Sequence, residues 1–372
     1  MRTLLVLLLC LAQLLLLGGR GGIQTNFREV EELLVLQTMG LDRTRTGLRL
    51  SLASAGGASG EPVRLEATGA SVSAALERMQ DSSASEELFC AQIKRLLLGE
   101  AEAEAGVDEA LAYVSGSPSL RLDLPVYVIR DGTAHDAVIG VGDKTHGICD
   151  ALDAIERSAK KRSDLRLTSA AELLHDGARH GSALVCALSL RPTSEEGSDA
   201  QSAVPDGYAV LRGGKLCRYL TAEQAVAVGI LKNEPGLATL SLRDPRSALT
   251  EVELLGSRCR IWPVLGEDDA LDGLRIDAEV RASILETRGS GGLAGARDLD
   301  ALTAVLEAET AERLRSTLQV SRELKADFLG LASRLPPALV GSEEDFAERL
   351  PELSLEISVS ARLSHNSDKR GS

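Results

Sequence analysis

Leu274-Arg275-Ile276-Asp277-Ala278-Glu279-Val280-Arg281-Ala282-Ser283-Ile284 alternates apolar and polar residues without interruption. Successive side chains on a strand point to opposite faces, so this stretch reads as a strand with one buried and one wet face. A second stretch repeats the pattern: Leu353, Leu355, Ile357, Val359, Ala361 and Leu363 alternate with Ser354, Glu356, Ser358, Ser360 and Arg362. Between them, after the glycines from Gly289 to Gly295, the spacing predicts a long helix from about Asp298 to Leu331. Leu302, Val305, Leu306, Leu314, Leu318, Leu324 and Phe328 mark its apolar face, and Glu309 with Arg313 forms an i,i+4 pair. A half-buried sheet, a long helix and a final edge strand define an α+β protein.

Working outward, Tyr208–Leu211 and Leu216–Leu220 flank Gly213-Gly214, a hairpin signal. Thr221 to Gln224 is a capping box for a helix through Leu231. Val252–Leu255 and Cys259–Val264 flank Gly256-Ser257, read as a second hairpin. In the amino-terminal half, strands are expected on both sides of the polar turn Arg43 to Gly47, and again at Val63–Ala67, Leu124–Ile129 and Ala183–Leu190. Helices are expected from Ser71, at Asp108–Tyr113, Ala151–Lys161 and Ala170–Ala178, with a solvated helical turn at Glu100–Ala105 closed by Gly106.

The polar stretch 191–205 is the best linker candidate. The expected organisation is multi-domain, with mixed and antiparallel sheets packed against helices. Residues 1–22 form a signal peptide or amino-terminal membrane anchor, and 24–190 an amino-terminal region divisible into two subdomains near 145. The linker 191–205 leads into a carboxy-terminal domain at 206–364, and 365–372 is a polar tail.

The first segment follows the grammar of export: Met1-Arg2-Thr3, an apolar run from Leu4 to Leu17, then Gly18, Gly19, Arg20, Gly21 and Gly22. The run is short for a spanning helix, which needs about 20 residues. Of 372 residues, 44% are hydrophobic, 26% charged and only 2% aromatic, so the cores are aliphatic. The net charge of -14 disfavours nucleic acid as a partner. Cys10, Cys90, Cys149, Cys186, Cys217 and Cys259 are scattered, as expected of buried free thiols rather than a disulfide framework.

A search for chemistry returns little. His135, His146, His175, His180 and His365 include no pair that supplies the three or four ligands zinc requires. No G-x-S-x-G elbow or complete P-loop occurs. Glu31-Glu32, Glu86-Glu87, Asp268-Asp269 and Glu343-Glu344-Asp345 read as solvated surface. Trp262 is expected to pack in the core beside Ile261 and Val264. Asp327, between Ala326 and Phe328, is expected to cap a local turn, with a partner contact as the alternative. No catalytic, cofactor-binding or metal residue is assigned.

These segments, in this order, resemble the Ger(x)C family, the C subunits of spore germinant receptors. The resemblance runs from about Phe27 to Arg362. It is carried by Arg28-Glu29-Val30 through Gly40-Leu41-Asp42, by Thr68-Gly69-Ala70-Ser71, by Leu96-Leu97-Leu98-Gly99-Glu100 with Gly106, and by Val126-Tyr127-Val128-Ile129. The carboxy-terminal half adds Gly207-Tyr208-Ala209-Val210-Leu211 through Lys215-Leu216, and Ala326-Asp327-Phe328-Leu329-Gly330. Most family members carry a lipid-acceptor cysteine before the Arg-Glu segment, whereas this chain has Gly19 to Gly22. The resemblance implies a non-catalytic subunit without cofactors. It implies assembly with an integral membrane A subunit and a transporter-like B subunit, at the membrane surface on the outer face of the inner spore membrane. A stand-alone exported solute-binding protein is the alternative reading.

Overall fold

The computed structural model describes residues 33–55, 60–83, 87–143, 145–193, 200–243, 249–288 and 296–365. The apolar run Leu4–Leu17, Arg28-Glu29-Val30, the glycines at 289–295 and the tail beyond 365 lie outside the described residues. The protein is mixed α+β, with several sheets, a long carboxy-terminal helix and a final edge strand.

The largest sheet has eight strands. Its centre is β2 (Thr38–Thr44), β6 (Arg95–Gly99), β7 (Val126–Ile129) and β8 (Ser182–Pro192), hydrogen-bonded in parallel in that order. β3 (Gly47–Ala53) and β4 (Arg64–Gly69) extend one side antiparallel, and β9 (Gln201–Arg212) and β10 (Lys215–Leu220) extend the other. A separate parallel pair joins β1 (Leu33–Val35) to β5 (Glu87–Phe89). Parallel neighbours require crossover connections, and helices supply them. They are α1 (Val72–Ser82), α2 (Glu100–Ala105), α3 (Asp108–Gly116), α4 (Ala134–Gly140), α5 (Ile148–Ala159) and α6 (Ala170–His180).

Helices on both faces explain why β6 and β7 are buried throughout. Leu96, Leu98, Val126 and Val128 face α1, α3 and α6 through Met79, Leu111 and Leu173. Leu97, Tyr127 and Ile129 face α4 and α5 through Val138, Ile148 and Leu152.

The second large sheet has the order β11 (Ala238–Arg243), β12 (Leu249–Leu265), β13 (Leu271–Arg288), β14 (Ser354–His365). β13 is the strand that the opening alternation defined. Leu274, Ile276, Ala278 and Val280 are buried against Leu302, Leu306, Leu314 and Leu318 of α8 (Ala296–Leu324). β14 pairs parallel with β13 and lies at the sheet edge. Helix α7 (Ala222–Lys232) is buried from Ala225 to Leu231, because it sits between the two sheets. Gly229 is required there: a methyl group would collide with the Ser163 carbonyl.

Five expectations need correction. Gly256-Ser257 is not a hairpin turn. β12 runs through it and stays paired with β13 on both sides, with a bulge between Leu254 and Gly256. An extra residue and a glycine absorb the kink without ending the ladder. Trp262 is 45% exposed, because its strand parity with Arg258 and Arg260 puts it on the wet face. The long helix stops at Leu324, where Lys325 takes a left-handed conformation (φ 47). Both ends of the expected linker are strand, with Arg191 opposite Ser202 and Pro192 opposite Gln201, while 194–199 lie outside the described residues. The turn Glu100–Ala105 is not wholly solvated, since Glu102 is buried and its carboxylate accepts from Arg43 Nε at 3.0 Å.

Candidate functional site

Two buried aspartates organise the segments that carry the resemblance. Asp42 ends the Gly40-Leu41-Asp42 segment on β2. Its Oδ1 accepts from the Ala134 backbone N–H at 2.7 Å and its Oδ2 from His135 N–H at 2.8 Å. The carboxylate thereby satisfies the first turn of α4, where unpaired N–H groups favour a negative charge. Burial nevertheless pushes the Asp42 carboxyl up from the ordinary aspartate range, opposed by those two hydrogen bonds and by Arg49 and His135. Gly99, from the Leu-Leu-Leu-Gly-Glu segment, has no room for a side chain, because a methyl group would overlap the Asp42 carboxylate. Gly40 faces Ala134 in the same way, with 3.1 Å between a Cβ placed there and the alanine methyl. Three separated sequence segments are thus parts of one packing unit.

Asp327 does the corresponding work after α8. Its carboxylate accepts from Leu331 N–H and Ala332 N–H, both at 2.8 Å, so it caps the local turn expected from sequence. Ser321 Oγ donates to Ala326 O at 2.6 Å, and Gly330 adopts a left-handed conformation (φ 69). Burial pushes the Asp327 carboxyl up to about 6, against the two N–H bonds and the charges of His180 and Lys232.

This loop stands at the junction of the two sheets. Tyr208, Val210 and Leu220 on one face of β9 and β10 share a core with α7, α8 and the four-stranded sheet. Polar contacts ring that core. Arg179 Nε donates to Glu343 Oε1 at 2.8 Å, and His180 meets the same carboxylate. Arg212 and Lys325 converge on Glu348 at 3.0 and 2.7 Å. Arg218 meets Glu323 at 2.6 Å. Arg166 reaches Glu234 at 2.5 Å and Glu172 at 2.7 Å, and its N–H donates to Tyr208 Oη at 2.7 Å. Glu343, read from sequence as solvated, is a half-buried member of this ring through α9 (Glu343–Arg349).

Among the described side chains the histidines do not converge. His146 and His175 are exposed and Cys149 is buried against Thr38. Among the described residues no group of His, Cys, Asp and Glu could hold a metal ion. Cys149, Cys186 and Cys259 are buried free thiols as expected, Cys90 is half-buried, and Cys217 is exposed. The sequence reading missed the buried Arg95, which Asp153 and Glu156 of α5 bind from the helix side. The acids recur at i and i+3 on one helix face, which is a usable signal once a basic partner on the next strand is suspected.

A groove of about 530 Å³ between α5 and β9 is mainly apolar, with His146, Asp150 and Gln201 among its polar members. Among the described residues no helix is long and apolar enough to cross a membrane.

The family model for the spore germination protein N-terminal domain matches residues 26–138, and that for the spore germination B3/GerAC-like C-terminal domain matches residues 206–367. The chain belongs to the Ger(x)C family of spore germination proteins, and its role is that of the non-catalytic C subunit of a germinant receptor. It is similar in fold to the crystal structure of the GerBC protein, at 16% identity and a TM-score of 0.56, covering 87% of this chain and 96% of that one. No curated protein matches the chain.

Proposed function

We propose that this C subunit works through protein contact alone, assembling with an integral membrane A subunit and a transporter-like B subunit on the outer face of the inner spore membrane. The observation that carries this reading is the pair of family matches, which together take in both the Asp42 and the Asp327 units. The shared apolar core and its ring of ion pairs, which join the two large sheets, support a subunit that meets its partners with both sheets held together. A division of the chain at residue 206 belongs to the same proposal: the second family match begins there, although the eight-stranded sheet runs across it. With Gly19 to Gly22 where relatives carry the lipidated cysteine, the apolar run Leu4–Leu17 or the partner subunits supply the membrane attachment.

Deletion of the gene tests the role. The expected result is normal sporulation with loss of nutrient-triggered germination, and normal germination of the deletion strain overturns the proposal. Palmitate labelling of the protein in cells tests the anchor, and incorporation would overturn an unlipidated attachment.

A second reading, a stand-alone exported solute-binding protein, draws on the groove between α5 and β9. Gln201 Oε1 is buried there without a hydrogen-bond partner. Saturable binding of a germinant by the purified chain alone would favour it.

A further inference from the structure

We propose that the outer face of the four-stranded sheet carries a binding site for a phosphate-class oxyanion, built from Arg258, Arg281 and Arg362. The three arginines border one hollow of about 430 Å³, together with Gly256, Ser257, Glu279, Val280 and Ser360. The register puts them on one face: Gly256 is opposite Arg281, which is opposite Arg362, and the next wet row is Arg258, Glu279, Ser360.

Three features set this hollow apart from an ordinary solvated strand face. First, Arg281 and Arg362 are direct cross-strand neighbours, and like charges so placed are destabilising. Second, none of the three arginines has an ion-pair partner among the described residues, in a chain with a net charge of -14. Glu279, the one acid in the hollow among the described residues, has its carboxylate 3.8 Å from Arg260, which does not border the hollow. Third, the bulge between Leu254 and Gly256 shifts the register of β12 beside Arg281 without ending its pairing. A Cβ on Gly256 would stand 3.3 Å from Arg281 Nη2, so the bare glycine lets the guanidinium lie close over the strand.

Guanidinium forks match phosphate oxygens in geometry as well as charge, and the hydroxyls of Ser257 and Ser360 add donors at the same rim. The hollow is open enough for either a free phosphorylated solute or the phosphodiester headgroup of a lipid. The shared chemistry is the phosphate group, and the two sources differ in whether a monoester-like or a diester charge is preferred.

Isothermal titration of the full-length chain in neutral detergent separates the outcomes, with inorganic pyrophosphate and glycerophosphoglycerol (the lipid headgroup without acyl chains) as probes. The expected result is saturable binding of at least one probe, weakened about tenfold or more in Arg281→Gln/Arg362→Gln. Preference for pyrophosphate assigns a free phosphorylated solute, and preference for glycerophosphoglycerol assigns a lipid headgroup. Glu279→Gln should tighten binding several-fold, because it removes the only acid that borders the hollow among the described residues. The arginine variants should unfold no earlier than the wild type on heating, since they relieve a like-charge contact. Absence of saturable heat with both probes, or equal affinity in wild type and double variant, overturns the proposal.

Discussion

Asp42 and Asp327 are both buried, and each accepts two backbone N–H bonds between 2.7 and 2.8 Å. They differ in what those bonds connect. The donors to Asp42 lie 92 and 93 positions away, so the carboxylate ties β2 to a helix that the chain reaches only after β7. The donors to Asp327 lie 4 and 5 positions on, so it closes a loop on itself. Their glycines differ in the same sense. Gly99 is required for space, whereas Gly330 is required for its left-handed backbone and has open surroundings, with Ser333 Oγ 3.5 Å from a Cβ placed on it. The same pair of residue types thus makes a tertiary clamp in one region and a local turn in the other.

The largest effect expected from this comparison is at Asp42. Asp42→Ala leaves two N–H groups of α4 without acceptors in a buried setting, which costs about 3 kcal/mol. Urea unfolding should show it as a lowered midpoint. Gly99→Ala should cost nearly as much, about 2–3 kcal/mol, by pushing the same carboxylate off its donors. The two changes should not add, because the double variant has no carboxylate left to displace. A coupling of at least about 1 kcal/mol is expected from the cycle, and strict additivity would break the claim that Gly99 exists to make room for Asp42.

The same contrast explains what was readable in the sequence. Local patterns were legible: the alternation in β13 and β14, the capping box at Thr221, the Gly213-Gly214 hairpin and the turn-capping role of Asp327 all depend on neighbours a few positions apart. Asp42 was legible only as part of a resemblance, since nothing within a few residues of it reveals that Ala134 and His135 need an acceptor. Gly256-Ser257 misled because a bulge and a turn call for the same residues, and only the partner strand decides between them. Trp262 misled because its size suggests a core position, while strand parity, readable from Arg258 and Arg260, assigns it to the wet face. The arginine hollow could not be read at all, because it depends on the register of β12 against β13, which the bulge shifts, and of β13 against β14, about 70 residues later in the chain.

Asp327→Asn sharpens the comparison at an intermediate magnitude. The amide keeps one acceptor but turns an NH₂ toward a backbone N–H, at a cost of about 1–2 kcal/mol near neutral pH. The pH dependence has a definite sign. The Asp327 carboxyl is raised from 3.8 to about 6 in the folded chain, so the folded state holds its proton more tightly than the unfolded state. Its contribution to stability is fully present below about pH 4, falls as pH rises through 6, and is flat above. The stability difference between wild type and Asp327→Asn should therefore change across that window and be constant on either side. A difference that stays level from pH 4 to 7 would mean that the two N–H bonds outweigh burial at this carboxylate.

The smallest effect is expected at Gly330, and it is the sharpest test of the distinction between the two glycines. Alanine there meets no obstruction closer than ordinary contact with Ser333, so its cost comes only from holding an L-residue at φ 69. That amounts to about 1 kcal/mol. Asparagine, which tolerates the left-handed region, should cost less than alanine although it is larger. At Gly99 the order must reverse, with asparagine worse than alanine, because there the volume beside Asp42 is what matters. Thermal unfolding of the four single variants decides it: the same ranking at both sites would show that one mechanism serves both glycines, and opposite rankings follow from a clamp that needs space and a turn that needs a backbone angle.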